Sequence, residues 1–217
     1  MRIAILLFEG VTPLDVVGPY DVLARFPGTD VTCVAVNAGP VETDAGLSIV
    51  AGTSLQSLRD PEILVVPGGL GVDDAICDRE LIDWIRSAYP GSTWTTSVCT
   101  GALLLGAAGV LEGVRATTHW NHLHRLEEYG AIPINERVVR HGKIVTAAGV
   151  SAGIDMGLEL GRILSGDLVA QAVQLSMEYD PQPPFDSGSP AKAPAGVVEL
   201  VRAASAKASE NRRKAGA

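Results

Sequence analysis

The stretch "STWTTSVCTGALLLGAAGVL", residues 92–111, decides the fold. Residues 92–98 read as a strand, because β-branched and apolar side chains run from Trp94 to Val98. Cys99 ends that run, and a helix pattern of small residues begins at once. A thiol at such a joint faces the unpaired amides of the helix's first turn, and those amides and the helix dipole favour a thiolate. Thr100, Gly101 and Ala102 are small, so strand and helix can meet in the sharp elbow that serine hydrolases use for their nucleophile. The competing reading is a buried structural cysteine, the commoner fate of a free thiol.

Outward from that joint, strand-like and helix-like runs alternate. "RIAILLF" (2–8) is a continuous apolar run, as expected of a central parallel strand covered on both faces. A helix pattern over 15–26, a strand over 30–37, and a short hairpin over 41–52 around Asp44-Ala45-Gly46 follow. A buried strand at 61–69 ends in Gly68-Gly69, and "DRELIDWIRSAY" (78–89) is an amphipathic helix. Beyond the elbow come a brief strand at 115–120, a helix at 121–130 closed by Gly130, and a hairpin at 136–149. Helices are expected at 151–164, with Ser151 as cap, at 167–179 and at 196–208, with a frayed polar tail "ENRRKAGA". Residues 1–180 form the catalytic domain in this reading. Residues 181–217, proline-rich and then helical, pack on it.

Alternating strands and helices specify an α/β sandwich with a mostly parallel sheet, whose crevice lies beyond the carboxyl ends of the strands. Asp15, Gly68-Gly69, Cys99, His119 and Gly149 all fall on that one edge. Bulk properties agree with a small-molecule enzyme. The 217 residues are 47% hydrophobic and 19% charged, enough for a sizeable core. A net charge of −8 lacks the basic footprint that nucleic acid or an anionic membrane requires. No apolar run approaches the roughly 18 residues of a membrane span, and Glu9 closes the first run too early for a secretory leader. Three cysteines, Cys33, Cys77 and Cys99, make no disulfide framework, so a reducing cytoplasm is the expected compartment.

A nucleophilic thiol needs a proton partner. Thr100 stands where some cysteine hydrolases place a histidine, so the partner must come from elsewhere. Asp15 lies in the apolar setting "PLDVVGP", where an isolated carboxylate is costly. Taken alone it reads as a helix cap; paired with Cys99 it would share one proton, the expected state being a thiolate beside a protonated acid. The amides of Thr100 and Gly69 are the candidate oxyanion donors. His119 is a candidate substrate-binding residue, whereas His122 and His124 are expected on a solvated face. The spacing of the three histidines is not that of a zinc site, and "GGLGVDD" lacks a phosphate-binding lysine, so neither metal nor phosphate is expected.

The segments "LDVVGP", "VVPGG", "SVCTG", "RATTHW" and "GVSAGID" resemble, in that order, the ThiJ/PfpI superfamily over residues 2 to about 178. Asp at 15 and Thr at 100 resemble its isocyanide hydratase branch in particular, and "IPINERVVRHG" and "EYDPQPPFDSGSP" extend the resemblance. It implies a flavodoxin-like three-layer sandwich, a homodimer, and a cysteine nucleophile at Cys99 with Asp15 and Thr100 beside it. The implied reaction is the hydration of an isocyanide to an N-substituted formamide through a thioimidate on Cys99, with no cofactor. Two readings compete: a glyoxalase-like enzyme acting on dicarbonyls, which would favour Glu and His over Asp15 and Thr100, and a thiol redox or ligand sensor without catalysis. A regulator would need a helix-turn-helix module that the basic tail cannot supply.

Overall fold

Strand β1 (Arg2–Leu6), buried from Ile3 onward, pairs in parallel with β2 (Asp30–Ala35) on one side. Between them runs α1 (Pro13–Leu23). An antiparallel hairpin, β3 (Gly39–Glu42) and β4 (Ser48–Ala51), stands apart from the main sheet, and β5 (Thr53–Ser54) joins the sheet beside β2. On the other side of β1 lies β6 (Ile63–Val66), followed by α2 (Val72–Cys77) and α3 (Arg79–Ala88). The elbow strand β7 (Trp94–Val98) pairs with β6 and leads into α4 (Gly101–Ala107). Short strands β8 (Arg115–Ala116) and β9 (Ile132–Pro133) flank a 3-10 helix, Trp120–Tyr129, closed by Gly130 in the left-handed region. The hairpin β10 (Val138–His141) and β11 (Ile144–Ala147) completes the sheet, and α5 (Ala152–Ser165) and α6 (Asp167–Ser176) follow.

The computed structural model describes residues 1–215. They divide into two units, one of Met1–Glu178 and a second that begins at Tyr179. In the first, seven strands run in the order β10-β11-β7-β6-β1-β2-β5, all parallel except β10. Helix α1 packs on α5, and α5 on α6, while α2, α3 and α4 pack together as a second layer. This is the expected three-layer sandwich. In the second unit an irregular stretch precedes α7 (Ala195–Ala215), which runs further than the helix expected at 196–208, through residues taken for a frayed tail. Gly216 and Ala217 of that tail lie outside the described residues.

Other departures have local causes. Residues 115–120 yield only a two-residue strand, paired with β9 rather than with the main sheet, so His119 does not end a fifth parallel strand. Ser151 makes no side-chain cap bond. Helix α2, too short for a clear period, is an element that sequence reading did not resolve; Asp78 then caps α3, accepting from the Glu80 and Leu81 amides at 3.0 and 3.2 Å.

Two glycines set the spacing that matters for function. A Cβ on Gly101 would sit 2.1 Å from the Val66 carbonyl oxygen, so only glycine lets α4 start against the end of β6. On α5, a Cβ on Gly161 would come within 1.8 Å of Phe26 Cζ. The glycine pattern that weakens α5 as an isolated helix therefore beds α1 on it. Gly161→Ala is expected to destabilise the fold by about 1–3 kcal/mol through overpacking, with Phe26→Leu recovering part of the loss in the double variant. Urea denaturation of the single and double variants measures both effects; unchanged stability in Gly161→Ala would refute the packing argument.

Candidate active site

The elbow forms as the sequence implies. Cys99 has φ 55°, a left-handed conformation that costs a non-glycine residue about 1–3 kcal/mol and must be held by its surroundings. Those restraints are visible. The Cys99 amide donates to the carbonyls of Ala147 and Ala148 at 3.1 and 2.9 Å. The buried Thr118 hydroxyl donates to the Cys99 carbonyl at 2.6 Å. Val150, at the end of the β11 loop, is likewise left-handed at φ 34°. Its amide, that of Thr100 and the Thr100 hydroxyl all act on the Cys99 sulfur, pulling its pKa down.

Asp15 occupies the first turn of α1, where Pro13 starts the helix and Thr12 precedes it. It is therefore not the cap residue. Its side chain is wholly buried; Oδ2 accepts from the Gly68 amide at 2.9 Å. Among the described residues no N–H or O–H reaches Oδ1, and the carboxyl lies against the Cys99 thiol. The two residues expected on one sheet edge stand side by side in the fold.

Burial pushes both acids up. Asp15 is raised from 3.8 to about 7 by burial and by the charge of Asp44, against the pull of the Gly68 amide and the Cys99 thiol. Cys99 is raised to about 12 by burial and by Asp15, although the amides of Val150 and Thr100 pull the other way. The expected lowering of the thiol's pKa is thus corrected: the amides pull it down, but desolvation outweighs them. Between about 7 and 12 the pair holds one proton and one negative charge in common.

The other expected residues divide. Gly69 is close by, but its amide donates to Thr100 Oγ1 at 3.0 Å and so reaches the sulfur only through that hydroxyl. The second amide on the sulfur is Val150's, which sequence reading missed. Backbone donors leave no residue signature, and the only signal was Gly149 at the same edge. His119 rests on Gly149, whose added Cβ would lie 2.7 Å from the ring's Cδ2. Its Nδ1 accepts from the Asn121 amide at 3.3 Å, and burial lowers its pKa. A neutral ring with a proton on Nε2 follows. His122, expected on a solvated face, is half-buried and pushed down to about 4 by burial and by His119; His124 is exposed. Among the described residues no group of three or more His, Cys, Asp or Glu is arranged to hold a metal. Cys33 is buried and raised to about 11, while Cys77 is exposed at the end of α2. A cavity of about 470 Å³ opens at the ends of β1 and β2, lined by Phe8, Glu9, Asn37 and Asp74 among others; neither Cys99 nor Asp15 lines it.

Residues 1–162 match the model of the DJ-1/PfpI family. The chain belongs to that family. Over 202 residues it is 46% identical to the isonitrile hydratase of Pseudomonas putida, covering 93% of this chain and 89% of that one. A ThiJ/PfpI family protein of Pseudomonas syringae superposes with a TM-score of 0.91 at 40% identity, over 96% of this chain and 89% of that one. DJ-1beta of Drosophila melanogaster has the same fold at a TM-score of 0.74 and 23% identity, covering 82% of this chain and 97% of that one. In this DJ-1/PfpI protein the match runs on into α5, so Asp15, Cys99 and Val150 all lie within the matched residues.

A buried acid raised from 3.8 to about 7 has a calculable effect on stability. Its folded pKa exceeds its unfolded one, so its favourable contribution holds in acid and is lost as pH rises through about 7. Asp15→Asn keeps an acceptor for the Gly68 amide but removes the buried charge. At pH 8 the variant should be more stable than wild type by up to about 4 kcal/mol, and the difference should vanish below about pH 4. Denaturation across that range decides it. A variant less stable at pH 8 would show that the carboxylate is well solvated or paired.

Proposed function

We propose that this DJ-1/PfpI protein hydrates isocyanides, R–N≡C, to N-substituted formamides, with Cys99 as nucleophile and Asp15 as proton carrier. The observation that carries the reading is a buried thiol on a strained elbow, under the influence of two backbone amides, against a fully buried carboxyl. Its 46% identity to an isonitrile hydratase across nearly the whole chain supports the same substrate class.

The chemistry suits the pair. The terminal carbon of an isocyanide accepts a soft sulfur nucleophile and becomes basic as the C–S bond forms. The thiol proton passes to Asp15, the sulfur attacks that carbon, and Asp15 returns the proton to the same carbon. The product is a thioimidate, R–N=CH–S–Cys99. Asp15, now anionic, takes a proton from water as the oxygen adds to the thioimidate carbon. The nitrogen is protonated, the C–S bond breaks, and R–NH–CHO leaves with the thiol restored. Water is the only co-reactant, and the steps draw on this chain's own groups alone. The desolvation that raises the thiol's pKa also makes the sulfur anion more reactive. The amides of Thr100 and Val150 stabilise that anion, and the Gly69 amide holds the Thr100 hydroxyl in position. We give His119, whose Nε2 carries the proton, the role of hydrogen-bond donor to the substrate.

We propose that the enzyme is a cytoplasmic homodimer. Its free cysteines suit the reducing cytoplasm, and Leu14, Val17 and Tyr20, each at least 40% exposed on α1, suit a homodimer that covers them.

Cys99→Ala should fold and yield no formamide from a simple alkyl isocyanide, as followed by mass spectrometry, whereas full turnover would end the covalent mechanism. In wild type the rate should rise with pH through about 7, as the Asp15–Cys99 pair loses its first proton. A rate that is flat from pH 5 to 8 would remove Asp15 from the chemistry.

A further inference from the structure

We propose that Asp44, at the tip of the β3–β4 hairpin, is a positioning residue of the Cys99–Asp15 site, joining the two loops that frame it and setting a second negative charge beside Asp15. The proposal deepens the hydratase reading and rests on it for its meaning in catalysis. The hairpin stands outside the main sheet, and the motifs of the family resemblance do not include it.

Three loops lie side by side at the carboxyl edge. Residues 10–12, between β1 and α1, form the middle one. The Gly10 amide donates to the Glu42 carbonyl at 2.8 Å and the Asp44 amide to the Val11 carbonyl at 3.0 Å. On the far side, Val11 bridges to Gly69, and the Thr12 amide donates to the Gly68 carbonyl at 2.9 Å. One carboxylate oxygen of Asp44 then reaches across this lacing. Asp44 Oδ2 accepts from Thr12 Oγ1 at 2.6 Å and from the Leu70 amide at 3.3 Å. Thr12 leads into the turn that carries Asp15, and Leu70 follows the glycines whose amides serve Asp15 and Thr100.

Thr12 supplies a second, independent sign. A threonine preceding a helix ordinarily turns its oxygen to an amide of the first turn, a bond worth about 0.5–2 kcal/mol. Thr12 makes no such bond. The Asp15 amide instead donates to the Thr12 carbonyl at 3.1 Å, and the hydroxyl is given to Asp44. The helix forgoes its usual cap, and the bond gained instead joins the hairpin to the acid's own turn.

The titratable groups acting on Asp15 are the Cys99 thiol from the elbow and Asp44 from the hairpin. Helix α5, packed along α1, carries Asp155 and Glu159, which pair with Arg137 and Arg162 respectively. Glu9, on the β1 loop, accepts from the Glu42 amide at 3.3 Å. Asp44 is thus the acidic side chain that the fold brings to Asp15 from a separate element. Its charge disfavours a second one at Asp15 and keeps the acid in its proton-bearing form at higher pH than burial alone would.

The test separates charge from tether and needs no isocyanide. In a Cys77→Ser background, alkylation of Cys99 by iodoacetamide is followed by mass spectrometry from pH 5 to 9, beside formamide production. The alkylation rate of the parent should rise through about pH 7. Asp44→Asn keeps an acceptor but loses the charge, so its midpoint should fall by about half a pH unit or more. Near pH 6 it should then react about threefold faster than the parent. Thr12→Val keeps the charge and loses the tether; it should lower kcat while leaving the midpoint in place. An Asp44→Asn midpoint equal to the parent's, or a Thr12→Val midpoint shifted as far, would overturn the proposal. Alkylation behaving as expected in a protein that makes no formamide would instead refute the hydratase reading and leave the role of Asp44 standing.

Discussion

A buried carboxyl group pressed against a thiol is the constraint around which this molecule is arranged. Asp15 is completely buried and Cys99 nearly so. Left to themselves, both would be neutral and inert. One proton fewer makes the pair a single delocalised base and acid, able to release a proton to a substrate and take one back without exchanging it with solvent. The surrounding structure keeps the two groups together and dry. Gly68 contributes an amide to one, Thr100 and Val150 contribute amides to the other, and closely packed helices exclude water from both.

Holding that arrangement requires backbone conformations that L-residues avoid. Cys99 and Val150 are both left-handed, and the Val150 amide acts on the Cys99 sulfur. Thr118 fastens the strained elbow from a third direction. Such strain is tolerated because the parallel strands β6, β7 and β11 end together and leave the loops little freedom. The site is costly locally and stable globally, as expected where function and folding compete.

Much of this was legible in the sequence. Continuous apolar runs gave the central strands, because a parallel strand buried on both faces has no polar positions to break its pattern. Cys99, Gly68 and Asp15 were found on one edge because strand ends and small residues mark turns where backbone approaches backbone. What stayed hidden depended on atoms that every residue shares, or on distance. The Val150 amide is anonymous in sequence. The Gly69 amide appeared free to face the pocket, yet it is occupied by a hydroxyl that only folding brings near. The direction of the thiol's shift was misjudged because dipoles can be inferred from a local pattern, whereas desolvation depends on the whole enclosure. His122 looked solvated because a 3-10 helix of polar residues gives no warning of what folds over it.

Helix α5 begins two residues after Val150, whose amide holds the sulfur, and its glycine face is the bed on which α1 carries the acid. The sulfur itself sits on another support, the elbow between β7 and α4. Movement of α5 along its axis would therefore shift the seat of the acid and the Val150 amide relative to a sulfur that the sheet holds in place. The spacing of the reacting pair is thus set by how one helix registers against the sheet, at a distance from either side chain.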